Sequence, residues 1–288
     1  MPIRIARILR YHGKKRMIGK MVSQYRILEE IGRGSMGIVF KAQDTALNRL
    51  VALKIIAEKL VNDPHMLRRF EREGAAASAL RHPNICTVYE SGEWQGRPYL
   101  AMELLSGQTL DSHLAAGPLP AATLLEIAIG VTSALEATHA IGVIHRDIKP
   151  ANLFLTSGGQ VKVLDFGLAK MKLPQKAVSE DAPTVAMYTT SRGLMVGTLP
   201  YMSLEQVRCE ALDGRSDLYS LGVVLYELAT GELPVHGGKL APLPAGMGPI
   251  VAKMMAVDRE MRYQTAREAR EAFQRFAPGR DAFEHRAL

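Results

Sequence analysis

The chain has 288 residues, of which 47% are hydrophobic and 23% are charged, and its formal net charge is +7. This composition supplies enough apolar side chains for a large buried core and argues against an intrinsically disordered chain. Six basic residues precede residue 17, and without these six the charge of +7 falls to +1, so the charge of the remaining chain gives no indication of a nucleic-acid partner.

Residues 1–16 form a basic segment in which arginines interrupt apolar residues, as in IRIARILR. Three interpretations stay open: an amphipathic helix on a membrane surface, a nucleic-acid-binding arm, or a weakly ordered extension upstream of a start at Met17 or Met21. We favour the extension, which we assign to residues 1–20, because a basic tail alone is weak evidence. The apolar runs are too short for a secretory signal peptide.

Short β-branched runs follow between residues 25 and 102. They predict strands at residues 38–40, 51–56, 85–89 and 99–102, with a helical insert near residues 64–80. Beyond Gly107 the periodicity becomes helical, as in residues 121–139, and a last helix is predicted at residues 266–276. The sequence therefore predicts a strand-rich small lobe and a larger, mostly helical lobe.

The remaining segments contain no feature of a membrane span or a disulfide framework. Residues 221–230 come closest to an apolar span, but Glu227 interrupts them and a buried helix is expected. Cys86 and Cys209 are the only cysteines and lack metal-ligand spacing, which indicates reduced thiols and a cytoplasmic location. Residues 171–198 and the Gly- and Pro-rich residues 231–249 are predicted to be irregular.

A glycine pattern occupies residues 31–39, IGRGSMGIV, which fits G-x-G-x-x-G-x-V. Because Gly32, Gly34 and Gly37 lack side chains, backbone N–H groups there can approach phosphate oxygens. A dinucleotide-binding turn has the same glycines but is followed by a helix, whereas residues 38–40 favour a strand. The pattern therefore predicts two strands joined by a lid over phosphates.

Lys54 lies in the apolar run Val51-Ala52-Leu53-Lys54. Burying a lysine is costly unless an anion meets its ammonium group. Phosphate oxygens on one side and the carboxylate of Glu73, in the predicted helical insert, would satisfy it. The alternative is a strand-edge lysine that extends its ammonium group into solvent, which we would favour if Lys54 stood alone.

A third pattern is the segment VIHRDIKPANLF at residues 143–154, which is followed by Asp165-Phe166-Gly167. Together with the glycines and Lys54, these motifs occur in the order and spacing of protein kinases. The chain therefore resembles the protein kinase family, specifically its bacterial serine/threonine members, over residues 25–276. A single HRD or DFG arises by chance, whereas four motifs in one order carry the resemblance.

The resemblance implies a role for each polar residue of these motifs. Asp147 resembles the catalytic base, which accepts the hydrogen bond of the substrate hydroxyl, and Lys149 would neutralise charge on the transferring phosphoryl group. Asn152 and Asp165 would supply oxygen ligands to Mg²⁺, with Mn²⁺ as the alternative ion. By the same resemblance His145 is structural.

The resemblance also implies an ATP site with an adenine pocket. The six residues assigned to the adenine are Val39, Ala52, Phe154, Met102, Glu103 and Leu105. Val39 and Ala52 would cover one face of the adenine, and Phe154 would cover the other face. Met102 would control access to the back of the pocket. Glu103 and Leu105 would offer backbone groups to the edge of the adenine. Ordinary core packing would also account for each of them.

Residues between Asp165 and Glu205 resemble an activation loop. Its candidate phosphoacceptors are Thr184, Thr189, Thr190 and Ser191. Arg146 could grip a phosphate there bidentately. The alternative is that these hydroxyls merely suit a soluble loop.

Four further residues resemble structural positions of the family. Thr198 resembles the threonine that bridges the catalytic aspartate and lysine, and it is also a regulatory candidate. Asp217 corresponds to the buried carboxylate that ties the catalytic loop to a central helix, and Glu205 and Arg262 correspond to a buried ion pair.

Two features depart from the family pattern. The A-P-E motif appears as Ser203-Leu204-Glu205, so the turn lacks the restraint of a proline. Only 45 residues separate Asp217 from Arg262, and residues 231–249 take the place of a longer stretch with a substrate-facing helix. The shortening puts protein-substrate docking or fold stability in question, but not the ATP site.

The sequence thus predicts an α+β fold, bilobal and protein kinase-like, with a catalytic domain at residues 21–278. The predicted lobes are residues 21–102 and 106–278, followed by a tail at 279–288. The predicted function is transfer of the γ-phosphate of Mg-ATP to serine or threonine of a protein substrate, with no nucleic-acid partner, no membrane span and an open oligomeric state. The alternatives are an ATP-binding scaffold with weak or no transfer and, disfavoured by Thr198 and the activation-loop segment, a small-molecule phosphotransferase.

Overall fold

The computed structural model describes residues 17–34, 37–57, 80–165, 199–235, 240–244 and 246–276. These residues form two compact units. The first comprises the described residues up to Arg81 together with Thr87–Leu105, and the second comprises His82–Cys86 and the described residues from Ser106 onward. The lobe boundaries of residues 21–102 and 106–278 stay a prediction.

The first unit is built on an antiparallel sheet of six strands in the order β1-β2-β3-β4-β6-β5. The strands are β1 (Met21–Val22), β2 (Tyr25–Gly34), β3 (Gly37–Asp44), β4 (Arg49–Ile56), β5 (Val88–Trp94) and β6 (Arg97–Glu103). The strands predicted at residues 38–40, 51–56 and 99–102 are confirmed, because these runs lie within β3, β4 and β6. The helical insert predicted near residues 64–80 lies outside the described residues apart from Leu80.

Of the strand predicted at residues 85–89, Val88 and Tyr89 are confirmed within β5, whereas its first three residues were wrongly assigned. Residues 85–87 precede β5, and Ile85 forms an isolated parallel bridge with Val163 of the second unit's sheet. Cys86 donates its N–H to the Val163 carbonyl at 2.9 Å, and Val163 donates to the Asn84 carbonyl at 2.8 Å. Ile85 and Cys86 are therefore paired through their backbone, as in a strand, but they belong to the second unit and pair with β9 of that unit.

One face of the six-stranded sheet carries the hydrophobic core of the first unit. The buried residues of this core are Val22, Tyr25, Ile27, Phe40, Ala42, Val51, Leu53, Ile55, Tyr99 and Ala101. The register explains the set, because Phe40 lies opposite Leu53 and Leu53 opposite Ala101, and residues opposite each other point to the same face. Residues one step along these strands therefore point to the other face.

The second unit combines a small antiparallel sheet with helices. Its strands are β7 (Gly107–Thr109), β8 (Leu153–Thr156) and β9 (Val161–Val163), in the order β7-β8-β9. Its described helices are α1 (Leu110–Leu114), α2 (Ala121–Ala140), α3 (Leu204–Val207), α4 (Gly214–Thr230), α5 (Met247–Met254) and α6 (Ala266–Phe276). Three-residue 3₁₀ turns lie at Pro150–Asn152, Leu199–Tyr201 and Arg259–Met261. The helical character predicted beyond Gly107 is confirmed, whereas the small sheet was not predicted.

The helix α2 corrects the expectation about membrane spans. Among the described residues, Ala121–Ala140 is the one helix long and apolar enough to cross a membrane, rather than residues 221–230. Half of its residues are buried within the unit, where it packs against α4 and α6. Burial of this kind is that of a core helix of a folded domain.

The helix α4 is the second core element of this unit and was predicted as a buried helix. The Asp213 carboxylate caps its start by accepting the Arg215 N–H at 2.9 Å. Gly231 ends it with a φ of 79°, a left-handed conformation that glycine adopts without steric cost. Glu227 lies within the helix and accepts the Tyr201 hydroxyl at 2.7 Å, which gives its partly buried carboxyl group a hydrogen-bond partner inside an otherwise apolar run.

The connection after α4 was predicted to be irregular over residues 231–249, which is confirmed for its described part up to residue 244 but was wrong for residues 247–249, because these begin the helix α5. The described residues at 231–235 and 240–244 contain neither helix nor strand, and α5 begins directly after Gly246. The last helix, α6, has the bounds predicted from its periodicity and buries Ala266, Ala269 and Phe273. The fold is therefore α+β, with an antiparallel sheet in one unit and a mostly helical second unit.

Candidate active site

The face of the six-stranded sheet opposite the core carries most of the residues assigned to the nucleotide in the first unit. Val39 on β3 lies opposite Lys54 on β4, and Ala52, two residues before Lys54, lies opposite Met102 on β6. Since side chains alternate along a strand, all four point to this one face. The sheet register therefore brings these four predicted residues together.

Lys54 occupies the middle of β4, in a stretch where each residue from Val51 to Ile56 is buried. The side chain is itself buried, with 6% of its surface exposed. An ammonium group at such a position needs an anion, so the alternative of a solvent-extended strand-edge lysine is not what the structure shows. Glu73, the partner proposed from the sequence, lies outside the described residues.

The three glycines of the motif, two at the end of β2 and one at the start of β3, differ in their steric surroundings. At Gly37, with a φ of 157°, an added Cβ would collide with the backbone carbonyl of Ile55, next to Lys54. At Gly34 nothing lies within 4 Å, and at Gly32 only the Cβ of Val39 lies near, at 3.8 Å. Gly37 is therefore required by the sheet itself, whereas Gly32 and Gly34 leave room that a ligand can approach.

We expect Gly37→Ala to destabilise the protein by about 1–3 kcal/mol, because the methyl group forces β3 away from β4. The matched substitution Gly34→Ala is expected to change the free energy of unfolding by less than about 0.5 kcal/mol. Urea denaturation of the two variants measures both values. Equal stability of the two variants would contradict the assignment of different roles to these glycines.

The segment after β6 offers backbone groups at Glu103 and Leu105. Glu103 donates its N–H to the Thr87 carbonyl at 2.9 Å, and its carboxylate accepts the Thr87 N–H at 2.7 Å. Because the Glu103 N–H is already paired, the backbone group of Glu103 that we assign to a ligand is the carbonyl. Leu105 is partly buried and lies outside any strand.

In the second unit, the loop before β8 brings Asp147, Lys149 and Asn152 into contact. Lys149 Nζ lies 3.0 Å from Asp147 Oδ2. The Asn152 side-chain amide donates to the same Oδ2 at 3.0 Å and to the Asp147 carbonyl at 2.7 Å. Asp147 and Asn152 are buried, with 5% and 8% exposed. The predicted base is thus held by the predicted lysine and by one predicted metal ligand.

The second predicted metal ligand, Asp165, lies beside the first because of backbone pairing. The residue before it, Leu164, donates its N–H to the Asn152 carbonyl at 2.9 Å, continuing the pairing of β8 with β9. Asp165 has a φ of 57°, an uncommon conformation for a residue with a side chain. The structure therefore brings all four residues assigned to transfer and metal binding to the same end of the small sheet.

His145 and Asp217 form hydrogen bonds that hold the loop containing Asp147 in place. Asp217, on α4, accepts the backbone N–H groups of His145 at 2.8 Å and Arg146 at 2.7 Å. It also contacts His139 Nε2 at 2.8 Å. The predicted tie between the catalytic loop and a central helix is confirmed.

The imidazole of His145, which is fully buried, links two parts of the site. Its Nδ1 accepts the Asp147 N–H at 3.2 Å, so in the neutral ring the proton is on Nε2, which donates to the Leu164 carbonyl at 2.8 Å. One ring thus connects the base to the residue before Asp165. The geometry matches the structural role expected for His145.

Phe154 lies on β8 opposite Thr109 and Lys162, and it is partly buried. Its ring lies within 3.0 Å of the position that a Cβ on Gly107 would take. The residue belongs to the second unit, two residues after Asn152. Its assignment to the adenine stays a prediction.

The predicted ion pair between Glu205 and Arg262 is confirmed. Arg262 donates to the two carboxylate oxygens at 2.7 and 3.1 Å, and Ser216 adds a hydroxyl donor at 2.7 Å. Burial alone would raise the pKa of Glu205, but the hydrogen bonds from Arg262 and Ser216 outweigh it and lower the pKa to about 2. The carboxylate is therefore ionised and fully paired.

Several predicted residues lie outside the part of the chain that the structure describes. They include the rest of the DFG motif, at Phe166 and Gly167, and the regulatory candidates Thr184, Thr189, Thr190, Ser191 and Thr198. Their roles stay predictions.

Gln206, a buried residue whose side chain bonds to the catalytic loop, was not predicted from the sequence. Its amide nitrogen donates to the Arg146 carbonyl at 3.0 Å, and its amide oxygen accepts the Ser203 N–H at 3.0 Å. The latter bond restrains the turn at Ser203 that lacks the proline of A-P-E. The only sequence signal was a capping-box pattern of Ser203 with Gln206 three residues later.

Comparisons with known proteins place the chain among protein kinases. A family profile described as the protein kinase domain matches residues 25–278. The probable serine/threonine-protein kinase PknB of Bifidobacterium longum is 40% identical over 274 residues, which cover 85% of this chain and 38% of that protein. The serine/threonine-protein kinase PknB of Mycobacterium tuberculosis is 37% identical over 271 residues, covering 86% of this chain and 42% of that protein.

A solved structure has the same fold. The crystal structure of the Mycobacterium tuberculosis PknI kinase domain superimposes with a TM-score of 0.70 and 28% identity, covering 90% of this chain and 98% of that one. The chain spans about two fifths of the length of the curated relatives that it matches. The profile match and the arrangement of Asp147, Lys149, Asn152 and Asp165 lead to one conclusion: the chain belongs to the protein kinase domain family.

Proposed function

We propose that this chain is a serine/threonine protein kinase that transfers the γ-phosphate of Mg-ATP to a hydroxyl of a protein substrate. The observation that carries the proposal is the contact of Asp147 with Lys149 and Asn152, with Asp165 at the adjacent strand end. Phosphoryl transfer needs positioned charges rather than covalent chemistry from the protein. The names of the PknB relatives support the serine/threonine class.

The side chains at this site have the chemistry that the reaction requires. Asp147 would accept the hydrogen bond of the substrate hydroxyl and orient its oxygen for in-line attack. Lys149, within 3.0 Å of that carboxylate, would bring its positive charge to the phosphoryl group as it transfers. The substrate hydroxyl and the phosphoryl group would then both lie close to the side chains of Asp147 and Lys149.

The donor set also fits Mg²⁺. Because the Asn152 NH₂ group is committed to Asp147, its amide oxygen is the group left for a ligand, and Asp165 adds a carboxylate. Among the described residues no cluster of three or more His, Cys, Asp and Glu forms a metal site, which suits an ion that keeps waters and phosphate oxygens as ligands. Mg²⁺ bound here would neutralise charge on the phosphates, and Mn²⁺ would be accepted in the same way.

For the nucleotide itself we propose Val39, Ala52, Lys54 and Met102 in the first unit. Their common face on the sheet, opposite the core, supports this proposal. Gly32 and Gly34, with open space at their Cα atoms, would allow the backbone to approach phosphates. Glu73, Leu105, Phe154 and the Glu103 carbonyl complete the set as proposed from the resemblance.

Regulation by phosphorylation of the segment between Asp165 and Glu205 remains part of the proposal. The buried Nε of Arg146 has no hydrogen-bond partner among the described residues, which supports a guanidinium that receives a phosphate. A cytoplasmic location is also proposed. It is supported by Cys86 and Cys209, both in the described part, which form no disulfide.

Incubation of the purified protein with γ-labelled ATP and Mg²⁺, followed by mapping of the modified residues, tests this function. We expect Mg²⁺-dependent incorporation into serine or threonine, with sites at Thr184, Thr189 or Thr190, and loss of incorporation in EDTA. ATP-dependent thermal stabilisation without phosphate transfer would instead favour the nucleotide-binding scaffold.

A further inference from the structure

Gln206 lies on helix α3, and its buried side-chain amide forms a hydrogen bond with the loop that carries Asp147. Gln206 is 5% exposed and lies one residue after Glu205. Its Nε2 donates to the Arg146 carbonyl and its Oε1 accepts the Ser203 N–H, each at 3.0 Å. Since the carbonyl can only accept and the N–H can only donate, the two partners define the orientation of the amide.

The Arg146 carbonyl and the Asp147 N–H belong to the same peptide group. Gln206 holds this peptide group at its oxygen, and His145 Nδ1 holds it at its nitrogen at 3.2 Å. The preceding peptide N–H, that of Arg146, is held by Asp217 at 2.7 Å. Buried side chains thus form hydrogen bonds with both peptide groups that precede Asp147, the His145–Arg146 group and the Arg146–Asp147 group.

These bonds stabilise a backbone conformation that is otherwise unfavourable. Arg146 has a φ of 67°, in the left-handed region, which costs a residue with a side chain about 1–2 kcal/mol. Such a conformation persists only when its surroundings determine it. Without the Gln206 donor, the Arg146 carbonyl would lose this hydrogen bond, and rotation of this peptide group would move the Asp147 carboxylate.

The helix that carries Gln206 is itself anchored. Glu205 is bound by Arg262 and Ser216, and all three residues are buried. The anchor therefore restricts where the amide of Gln206 can lie. A connected series of bonds leads from Arg262 through helix α3 to the peptide group before the base.

We propose that Gln206 is a positioning residue for phosphate transfer, which orients Asp147 by holding the Arg146–Asp147 peptide group. This inference rests on the proposed kinase function. It assigns Gln206 no contact with substrate or nucleotide, so its loss should lower the rate of transfer and leave ATP binding unchanged.

Two variants distinguish the effect of losing the Nε2 donor of Gln206 from the effect of losing both hydrogen bonds of its amide. Gln206→Glu keeps the shape and the oxygen that faces Ser203 but places an oxygen against the Arg146 carbonyl, and Gln206→Met removes both bonds. We expect kcat to fall about 10- to 100-fold in both variants, the size of effect that misplacement of a catalytic group produces. The KM for ATP should stay within about twofold.

Asn84→Asp is the matched control. The Asn84 side-chain amide also donates to a backbone carbonyl of this unit, that of Val161 at 2.9 Å, and within the described part of the chain no hydrogen bond joins it to residues 143–150. This variant should lower the melting temperature comparably while kcat stays near the wild-type value. A kcat for both Gln206 variants within about threefold of the control would overturn the proposal.

Hydrogen exchange of the peptide covering residues 143–150 separates this inference from the kinase function. Faster exchange there in both Gln206 variants than in the control, at equal global stability, supports the positioning role, and unchanged exchange overturns it. If the wild-type protein transfers no phosphate, the kinase function fails, and this exchange measurement alone decides whether Gln206 holds the loop.

Discussion

Replacing Asp147 by Asn is expected to lower the rate of phosphate transfer by about 10²- to 10⁴-fold, the usual contribution of a positioned general base. The amide has the shape of the carboxylate and can still accept the bond from Asn152, so the loop should keep its conformation. What the variant loses is the negative charge that orients the hydroxyl and pairs with Lys149. Single-turnover transfer from labelled ATP measures the effect.

Asp258→Asn is the control for this prediction. Asp258 is an exposed aspartate of the same unit, outside the candidate site, where the same chemical change is made. The control should transfer phosphate at the wild-type rate, and ATP should stabilise both variants against heat as it does the wild type. Wild-type incorporation by Asp147→Asn would remove Asp147 as the base.

The second large effect is expected for stability, at the ion pair of Glu205 and Arg262. Arg262 is almost fully buried and also donates to the carbonyls of Ala256 at 2.7 Å and Val257 at 3.1 Å. Arg262→Met leaves the Glu205 carboxylate buried without its cation. Breaking a buried pair in this way costs about 3–5 kcal/mol, which denaturant unfolding measures.

A surface ion pair provides the comparison. Arg267 and Glu271, on successive turns of α6, lie 2.9 Å apart with side chains 70% and 45% exposed. Arg267→Met is expected to cost less than about 0.5 kcal/mol, because solvent screens exposed pairs. Similar losses in the two variants would contradict the claim that burial determines the importance of the Arg262 pair.

The same ion pair predicts a pH dependence of stability. Hydrogen bonds hold the pKa of Glu205 at about 2 in the folded protein, against an ordinary value of 4.5. A lowered pKa adds stability that is fully present above pH 4.5 and is lost as the pH falls from 4.5 towards 2. The difference in unfolding free energy between wild type and Glu205→Gln should therefore shrink over this range, and a constant difference would contradict the assignment.

Much of the fold could be predicted because its elements have strong local patterns. Strands β3, β4 and β6 and helices α2 and α6 each contain enough residues for a period of 2 or 3.6 to appear in the sequence. The small sheet could not be predicted, because β7 and β9 have three residues each and β8 has four. The start of the run at residues 85–89 was misassigned because its hydrogen-bond partner, Val163, is distant in sequence.

In the candidate site, too, contacts between residues close in sequence could be predicted, whereas contacts between distant residues could not. Asp147, Lys149 and Asn152 lie within six residues of each other, so one motif contains the contacts between them. The contact of Gln206 with Arg146 joins residues 60 positions apart, and glutamine has no charge or spacing that would have distinguished it. Contacts of this kind depend on packing, which a single sequence does not display.

We expect Lys54 and Asp165 each to contribute to the binding of Mg-ATP. Calorimetric titration of ATP into wild type, Lys54→Met and Asp165→Asn, each with and without Mg²⁺, measures both contributions. We predict that Mg²⁺ tightens ATP binding in the wild type, that Asp165→Asn loses most of this gain, and that Lys54→Met binds ATP more weakly under both conditions. Wild-type affinity for Mg-ATP in both variants would contradict this expectation.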